Sequence, residues 1–471
     1  MSEAIPMEAE ALAEGAPGKH ERGDLTQGPI LRTLLLFSVP MLLSNVLQTL
    51  NGSINTIWVG RLLGESALAA TANANLVMFL VIAATIGLGM ATTVRISQRF
   101  GARDLQAVRA TFGTGLGLCM ALAAVTGTLG WFFSPALLHA LGTPQASVQE
   151  ALSYLRVIFV TVPFGVMSMI ISMALRGVGD SKTPLNAMIL TVMLDIVLNP
   201  LLIMGLGPVP SLGIAGSAMA TAFANFSGTM FQIRQIYRKD LPLRLRGAEL
   251  RYVIPRREEL GYIITKGLPM GTQMLLFSSA GVIMIGLVNR EGLNAAAAYG
   301  ASLQLWNYLQ MPALAVGSAV SAMVAQSLGA GNHARVGQVT RAGMLCNLVM
   351  TTALGAIIVL ADHPLLALFL GSDSPAMPIA ERIQLICTCA FLFMSVTMIL
   401  SGTMRAYGAV VGPLVIMAVA LYPARLGFYY ALYPKIGGDA VWWAFPVGGL
   451  TSLLLTFAYY SKGNWRRAFK G

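Results

Sequence analysis

Twelve apolar stretches constrain this chain more than any other feature of its sequence. They fall at about 31–60, 66–94, 107–133, 149–175, 183–206, 212–235, 260–289, 295–325, 337–361, 378–404, 412–433 and 439–461, punctuated by Gly, Pro and charged residues. About 20 apolar residues wound as a helix cross the hydrocarbon core of a bilayer, so each stretch is long enough to span. The runs are continuous rather than alternating, which excludes a β-barrel. Only 11% of the 471 residues are charged, less than half the roughly 25% of ordinary soluble domains, and this excludes a soluble single-core fold. The predicted class is an all-α polytopic membrane protein of twelve transmembrane helices.

The connections predict its orientation. The N-terminal tail, the even-numbered connections and the C-terminal tail carry most of the Lys and Arg, including the basic run from Arg234 to Arg257, whereas the odd-numbered connections hold only Arg61, Arg290, Arg382 and Lys435. By the positive-inside bias, both termini are expected in the cytoplasm of a cell bounded by a plasma (inner) membrane. That bias, with anionic lipid headgroups as partners, accounts for the net charge of +11 without nucleic acid. The first 29 residues hold six acids and two bases and no apolar segment, so a disordered cytoplasmic tail is predicted there.

Comparison of the chain with itself shows an ordered series of matches about 229 residues apart. Pro40 matches Pro269, Arg61 matches Arg290, Arg176 and Pro184 match Arg405 and Pro413, and the segment starting at Gln98 matches that starting at Gln326. Beyond the GLGPVPSLG connection the offset shortens, Gly216 matching Gly438. The predicted organisation is a tail at 1–29, an N-lobe at 30–238, a linker at 239–259, a C-lobe at 260–462 and a second tail at 463–471. Six spans per half is an even number, so the halves run in the same direction as parallel repeats around a central cleft. Such an architecture suits alternating access by rocking, and a single chain forms the cleft, so function as a monomer is expected.

Among twenty acids only Asp195 falls in the middle of a span. A carboxylate at that depth is costly and marks a functional site by default. Asn199 lies one turn on, on the same helix face. The competing reading makes Asp195 a packing residue hydrogen-bonded between helices.

The residues also resemble the multidrug and toxic compound extrusion (MATE) family of secondary transporters over nearly the whole chain from about residue 30. The resemblance rests on VPMLLSNVLQTLNGSINTIWVG in the first span, ALRGVGDSKTP after the fourth, LNPLLIMGLG in the fifth, GIAGSAMAT in the sixth and MPALAVGSAVSAMVAQSLGAGNHARV from the eighth onward. It implies export of amphipathic organic compounds, drugs or toxins, in antiport with protons or sodium ions. Relatives with an N-lobe cation site carry an acid in the first span, where this chain has Asn55, and Asn then Asp in the fifth, where this chain has Asp195 then Asn199. Gln48 keeps the family's glutamine. The resemblance implies a coupling role for Asp195, with Asn55, Asn199, Ser217 and Thr221 as hydrogen-bond partners. A single acid favours the proton over sodium, and no further cofactor or metal is expected. The glutamate that members of the NorM type carry eight residues after the seventh-span proline is Phe277 here, which resembles the DinF-type branch.

For substrate, Gln304, Trp306, Asn307, Gln310 and Met311 of the eighth span offer amide and aromatic groups where the cleft is expected, with Gln273 nearby. Arg425, mid-span in the eleventh, either contacts substrate or serves the packing, and Arg156 shares that ambiguity. Pro40, Pro269, Pro312 and Pro413 are candidate hinges. The alternatives are a lipid-linked saccharide flippase, which needs several deep cations where only Arg425 and Arg156 are apparent, and a membrane-embedded enzyme. The second lacks support: His20, His139, His333 and His363 lie in the tail or near span ends, and no GxSxG, HExxH or P-loop occurs. Cys119, Cys346, Cys387 and Cys389 lie in apolar stretches and suggest packing.

Overall fold

A computed structural model describes residues 23–140, 145–205 and 210–469. Among the described residues there are helices and no strand. The spans are α1 Ile30–Leu63, α2 Glu65–Gly101, α3 Leu105–Ala140, α4 Gln145–Gly177, α5 Lys182–Met204, α6 Gly213–Arg238, α7 Arg257–Arg290, α8 Leu293–Gly329 and α9 His333–Leu360. A short α10, Asp362–Leu370, precedes α11, Met377–Ala406, and α14, Asp439–Lys462, closes the series. Between them the eleventh span is broken into α12, Val411–Val419, a π-helical turn at Ala420–Ala424, and α13, Arg425–Ile436. Ten segments among the described residues are long and apolar enough to cross a membrane, and α2 and α6 occupy the two remaining span positions. The chain is an integral membrane protein.

The duplication is visible as a repeated packing scheme. In the first half α4 packs against α2, α3 and α6, and α5 against α6 and α1; in the second, α11 packs against α8, α9 and α14, and the broken eleventh span against α14 and α7. Turns repeat as well. Gly64 (φ 88°) and Gly292 (φ 102°) separate the first two helices of each half, and Gly179 (φ 80°) and Gly408 (φ 82°) follow α4 and α11. These left-handed backbones cost a side-chain-bearing residue strain that Gly avoids.

Three features depart from the sequence expectations. The break in the eleventh span falls at Pro423 inside the π-helical turn, not at Pro413, which sits in the first turn of α12 where a missing N–H costs nothing. Helices α1, α7 and α8 run unbroken through Pro40, Pro269 and Pro312. The tail expected to be disordered up to residue 29 is docked from Gly23 onward: Leu25 is buried in a core cluster with α8 and Trp465, and Arg335 donates to the carbonyls of Leu25, Gln27 and Gly28. Leu25 supplies the apolar burial that the acidic composition of the tail conceals. The connection at 141–144, residues 206–209 of GLGPVPSLG, and residues 1–22 and 470–471 lie outside the described residues.

The halves meet through α2 against α7 and α8, and α1 against α8. At Gly87 a Cβ would collide with the backbone of Gly267 and Gly271, so three glycines permit this close approach. Crossing hydrogen bonds gather at the end where Gly23 and Trp465 lie. Gln98 Nε2 donates to the Ala406 carbonyl at 2.7 Å, Gln326 Nε2 donates to the Gly177 carbonyl at 3.0 Å, and Glu259 at the start of α7 pairs with Arg95 at 3.4 Å and Arg99 at 3.6 Å on α2. The segment between the halves folds back on α3, where Arg109 pairs with Glu249 at 2.8 Å and Gly113 and Gly117 leave room for the backbone at Tyr252 and Val253.

Candidate functional site

Small residues on α6 set the geometry around Asp195. A Cβ at Gly216 would strike the Leu202 carbonyl, and one at Gly228 the Thr191 hydroxyl, so α5 and α6 lie close enough for short side chains to bridge them. Asp195 and Asn199 are each 1% exposed. Asn199 Nδ2 donates to Asp195 Oδ1 at 3.0 Å, and Thr221 Oγ1 donates to the same oxygen at 3.0 Å. Asn51, from α1, is a third side-chain hydrogen-bond partner. Ser217 Oγ donates to Asn55 Oδ1 at 2.8 Å, so it fixes the neighbouring amide rather than the carboxylate. Three helices thus bring together five of the six residues named for coupling. Gln48 is exposed and makes no hydrogen bond to the cluster among the described residues.

Asn51 was missed, although its signal was present: it sits one turn before Asn55 and therefore shares its face. Tyr154 of α4 was missed too, and lies within electrostatic reach of Asp195. The side-chain oxygens of Asn51 and Asn199 are buried without a hydrogen-bond partner among the described residues. Buried polar atoms are ordinarily satisfied, so two free acceptors beside one carboxylate are oxygens available to a proton or a small hard cation. Among the described residues no group of three or more His, Cys, Asp or Glu is placed to hold a metal ion.

The residues named for substrate separate into different surroundings. Gln304 and Asn307 share an exposed face of α8, and Gln310 is half-buried. Trp306 faces the other way, 2% exposed, with its indole N–H donating to Gln384 Oε1 at 3.1 Å and its ring against Tyr299, Phe391 and Phe445. Met311 is buried. Gln273 Nε2 donates to the Val410 carbonyl at 3.3 Å, tying α7 to the start of α12. Arg425, at the end of the π-helical turn, lies over the Phe445 ring at 4.0 Å. Its Nε has no hydrogen-bond partner among the described residues. Arg156 stacks over Trp131 at 5.0 Å.

Known proteins bear on this arrangement in two ways. The MatE family pattern matches residues 40–201 and again 269–431, two stretches that begin 229 residues apart. The chain is 35% identical over 433 residues to "Probable multidrug resistance protein YoeA" of Bacillus subtilis, covering 92% of this chain and 93% of that one. It is 30% identical to "Probable multidrug resistance protein YpnP" of the same organism, over 94% and 97% of the two chains. A solved structure, "Crystal structure of MATE in the bent conformation", superposes with a TM-score of 0.87 at 23% identity, over 94% of this chain and 98% of that one, and shows the shared fold.

Proposed function

We propose, from the premise that this chain belongs to the MATE family of multidrug efflux transporters, that it exports amphipathic organic compounds by antiport, with Asp195 as the residue that couples cation entry to lobe movement. The observation that carries the reading is the 1% exposed carboxyl of Asp195, held from α5 and α6 by Asn199 and Thr221 and from α1 by Asn51. A proton taken up from one side changes the charge of this cluster and therefore the relative stability of its arrangements, which is what coupling requires. The protein works as a monomer in the inner membrane, with both termini in the cytoplasm. In that orientation the Gln98 and Gln326 contacts close the cytoplasmic end.

Sodium is the second reading, favoured by one observation: the free oxygens of Asn51 and Asn199 add neutral ligands to the single carboxylate. Purified protein in liposomes separates the two. Efflux of a fluorescent amphipathic cation driven by an imposed pH gradient, and unaffected by a sodium gradient at fixed pH, supports the proton; the reverse pattern supports sodium. Transport indifferent to both gradients overturns antiport itself.

A further inference from the structure

The repeat places Arg176 at the end of α4 and Arg405 at the end of α11. Both line one cavity of about 60 Å³ between the halves, close to the crossing glutamines. No acidic side chain is among its walls, which include the Ser97, Ser318 and Ser321 side chains and methionines from both lobes. Arg405 is 7% exposed, and the Nε of each arginine is buried with no hydrogen-bond partner among the described residues. Helix C-terminal carbonyls offset part of a cation's burial. They leave these N–H groups unmade, and they do not relieve the repulsion between two cations facing one recess.

We propose that Arg176 and Arg405 together seat a small oxyanion, a phosphate or carboxylate group, which bridges the two lobes and fastens the closed end. Guanidinium groups bind such oxygens in paired, charge-assisted hydrogen bonds, and the hydroxyls of Ser318 and Ser321 can donate further ones, while Ser97 already donates to the Gly177 carbonyl at 2.9 Å. The cavity fits an oxyanion but not a drug-sized molecule, whose pockets run to about 300 Å³ or more. Because one arginine comes from each lobe, an anion here is held only while the lobes are closed at this end. Arg176 and Arg405 stand near span ends, where sequence alone does not mark them as deep cations; Arg405 is buried and Arg176 half-buried where the two lobes meet.

The probe is inorganic phosphate, added to delipidated protein in detergent and followed by calorimetric binding and by thermal unfolding. Phosphate is expected to bind and raise the melting temperature of the native chain. Arg176→Gln and Arg405→Gln should each weaken binding by about tenfold or more. Arg405→Lys, which keeps the charge and guards against a variant that fails to fold, should also weaken it, while Arg467→Gln at an exposed position should not. Nanodiscs then distinguish the source of the anion. A phosphate response that persists in phosphatidylglycerol nanodiscs assigns the seat to a free anion, and one lost there assigns it to a lipid headgroup. No response in the delipidated native protein, or an equal response in Arg405→Lys and the native chain, overturns the proposal.

Discussion

Gln98 and Gln326 stand at equivalent places in the two halves, and each donates its side-chain amide to the backbone at the end of a helix in the opposite half. The acceptors, Ala406 and Gly177, are themselves equivalent by the repeat, so the closure is a reciprocal pair. A buried hydrogen bond of this kind is worth about 1 kcal/mol, and leaving the carbonyl unpaired costs about 1–3 kcal/mol. Gln98→Leu, which takes the donor from the Ala406 carbonyl, is therefore expected to shift the lobes toward opening at this end by about fivefold or more; loss of the Gln326 bond has the smaller effect at its carbonyl, since Gly177 keeps the Ser97 hydroxyl at 2.9 Å. Spin labels placed across the closed end, read by pulsed dipolar spectroscopy, check this.

Gly101 and Gly329 make the same closure possible. A Cβ at Gly101 would run into the Gln326 carbonyl, and one at Gly329 into the Gln98 carbonyl. Gly329→Val is expected to hold the lobes apart at the terminal end while leaving each half folded. Loss of transport together with increased thiol labelling of a cysteine introduced at this end checks it.

Thr221 and Ser217 lie one turn apart on α6 but touch different atoms: Thr221 bonds the Asp195 carboxyl and Ser217 the Asn55 amide. Thr221→Val preserves shape and removes one donor, so gradient-driven transport is expected to fall several-fold, in line with about 1 kcal/mol of lost interaction. Ser217→Ala is expected to have the smaller effect. Initial transport rates of the two variants at equal protein in liposomes check the order.

The interlobe segment carries a pH-sensitive fastening outside the membrane. Hydrogen bonds from Arg246 and Arg244 hold the Asp240 carboxyl below the usual carboxylate range. A carboxyl lowered on folding contributes stability above its unfolded value, about 3.9, and loses it as pH falls through the lower folded value. Residues 240–246 are expected to loosen only below about pH 4, seen as amide protection that falls there to the lower level Asp240→Asn shows at every pH, the variant itself lacking the transition.

The spans and the duplication were legible because lipid imposes length and apolarity on each helix separately, and because two copies of one unit keep their punctuation in register. Asp195 was legible for the same reason, as a single charge against an apolar background. Asn51 carried a signal in its spacing from Asn55, yet an amide in an amide-rich span does not stand out by cost alone. The crossing glutamines could be matched between halves but not paired with Gly177 and Ala406, since those contacts depend on how two lobes are tilted. The docking of Leu25 and the meeting of Arg176 and Arg405 at one cavity have the same origin: each is decided by a surface contributed by the other half of the chain. Pro413 leaves its helix intact because it sits in the first turn, where no preceding turn exists to be broken.

Asp195→Asn keeps the size and most hydrogen bonds of the site while removing its carboxyl group. Efflux of a fluorescent amphipathic cation from liposomes, with an inward cation gradient imposed and released, tests the coupling role most directly. The expected result is that the variant binds the dye and folds with an unchanged melting temperature, yet its transport drops to the level seen without a gradient. Gradient-driven transport at the native rate in Asp195→Asn would contradict the account.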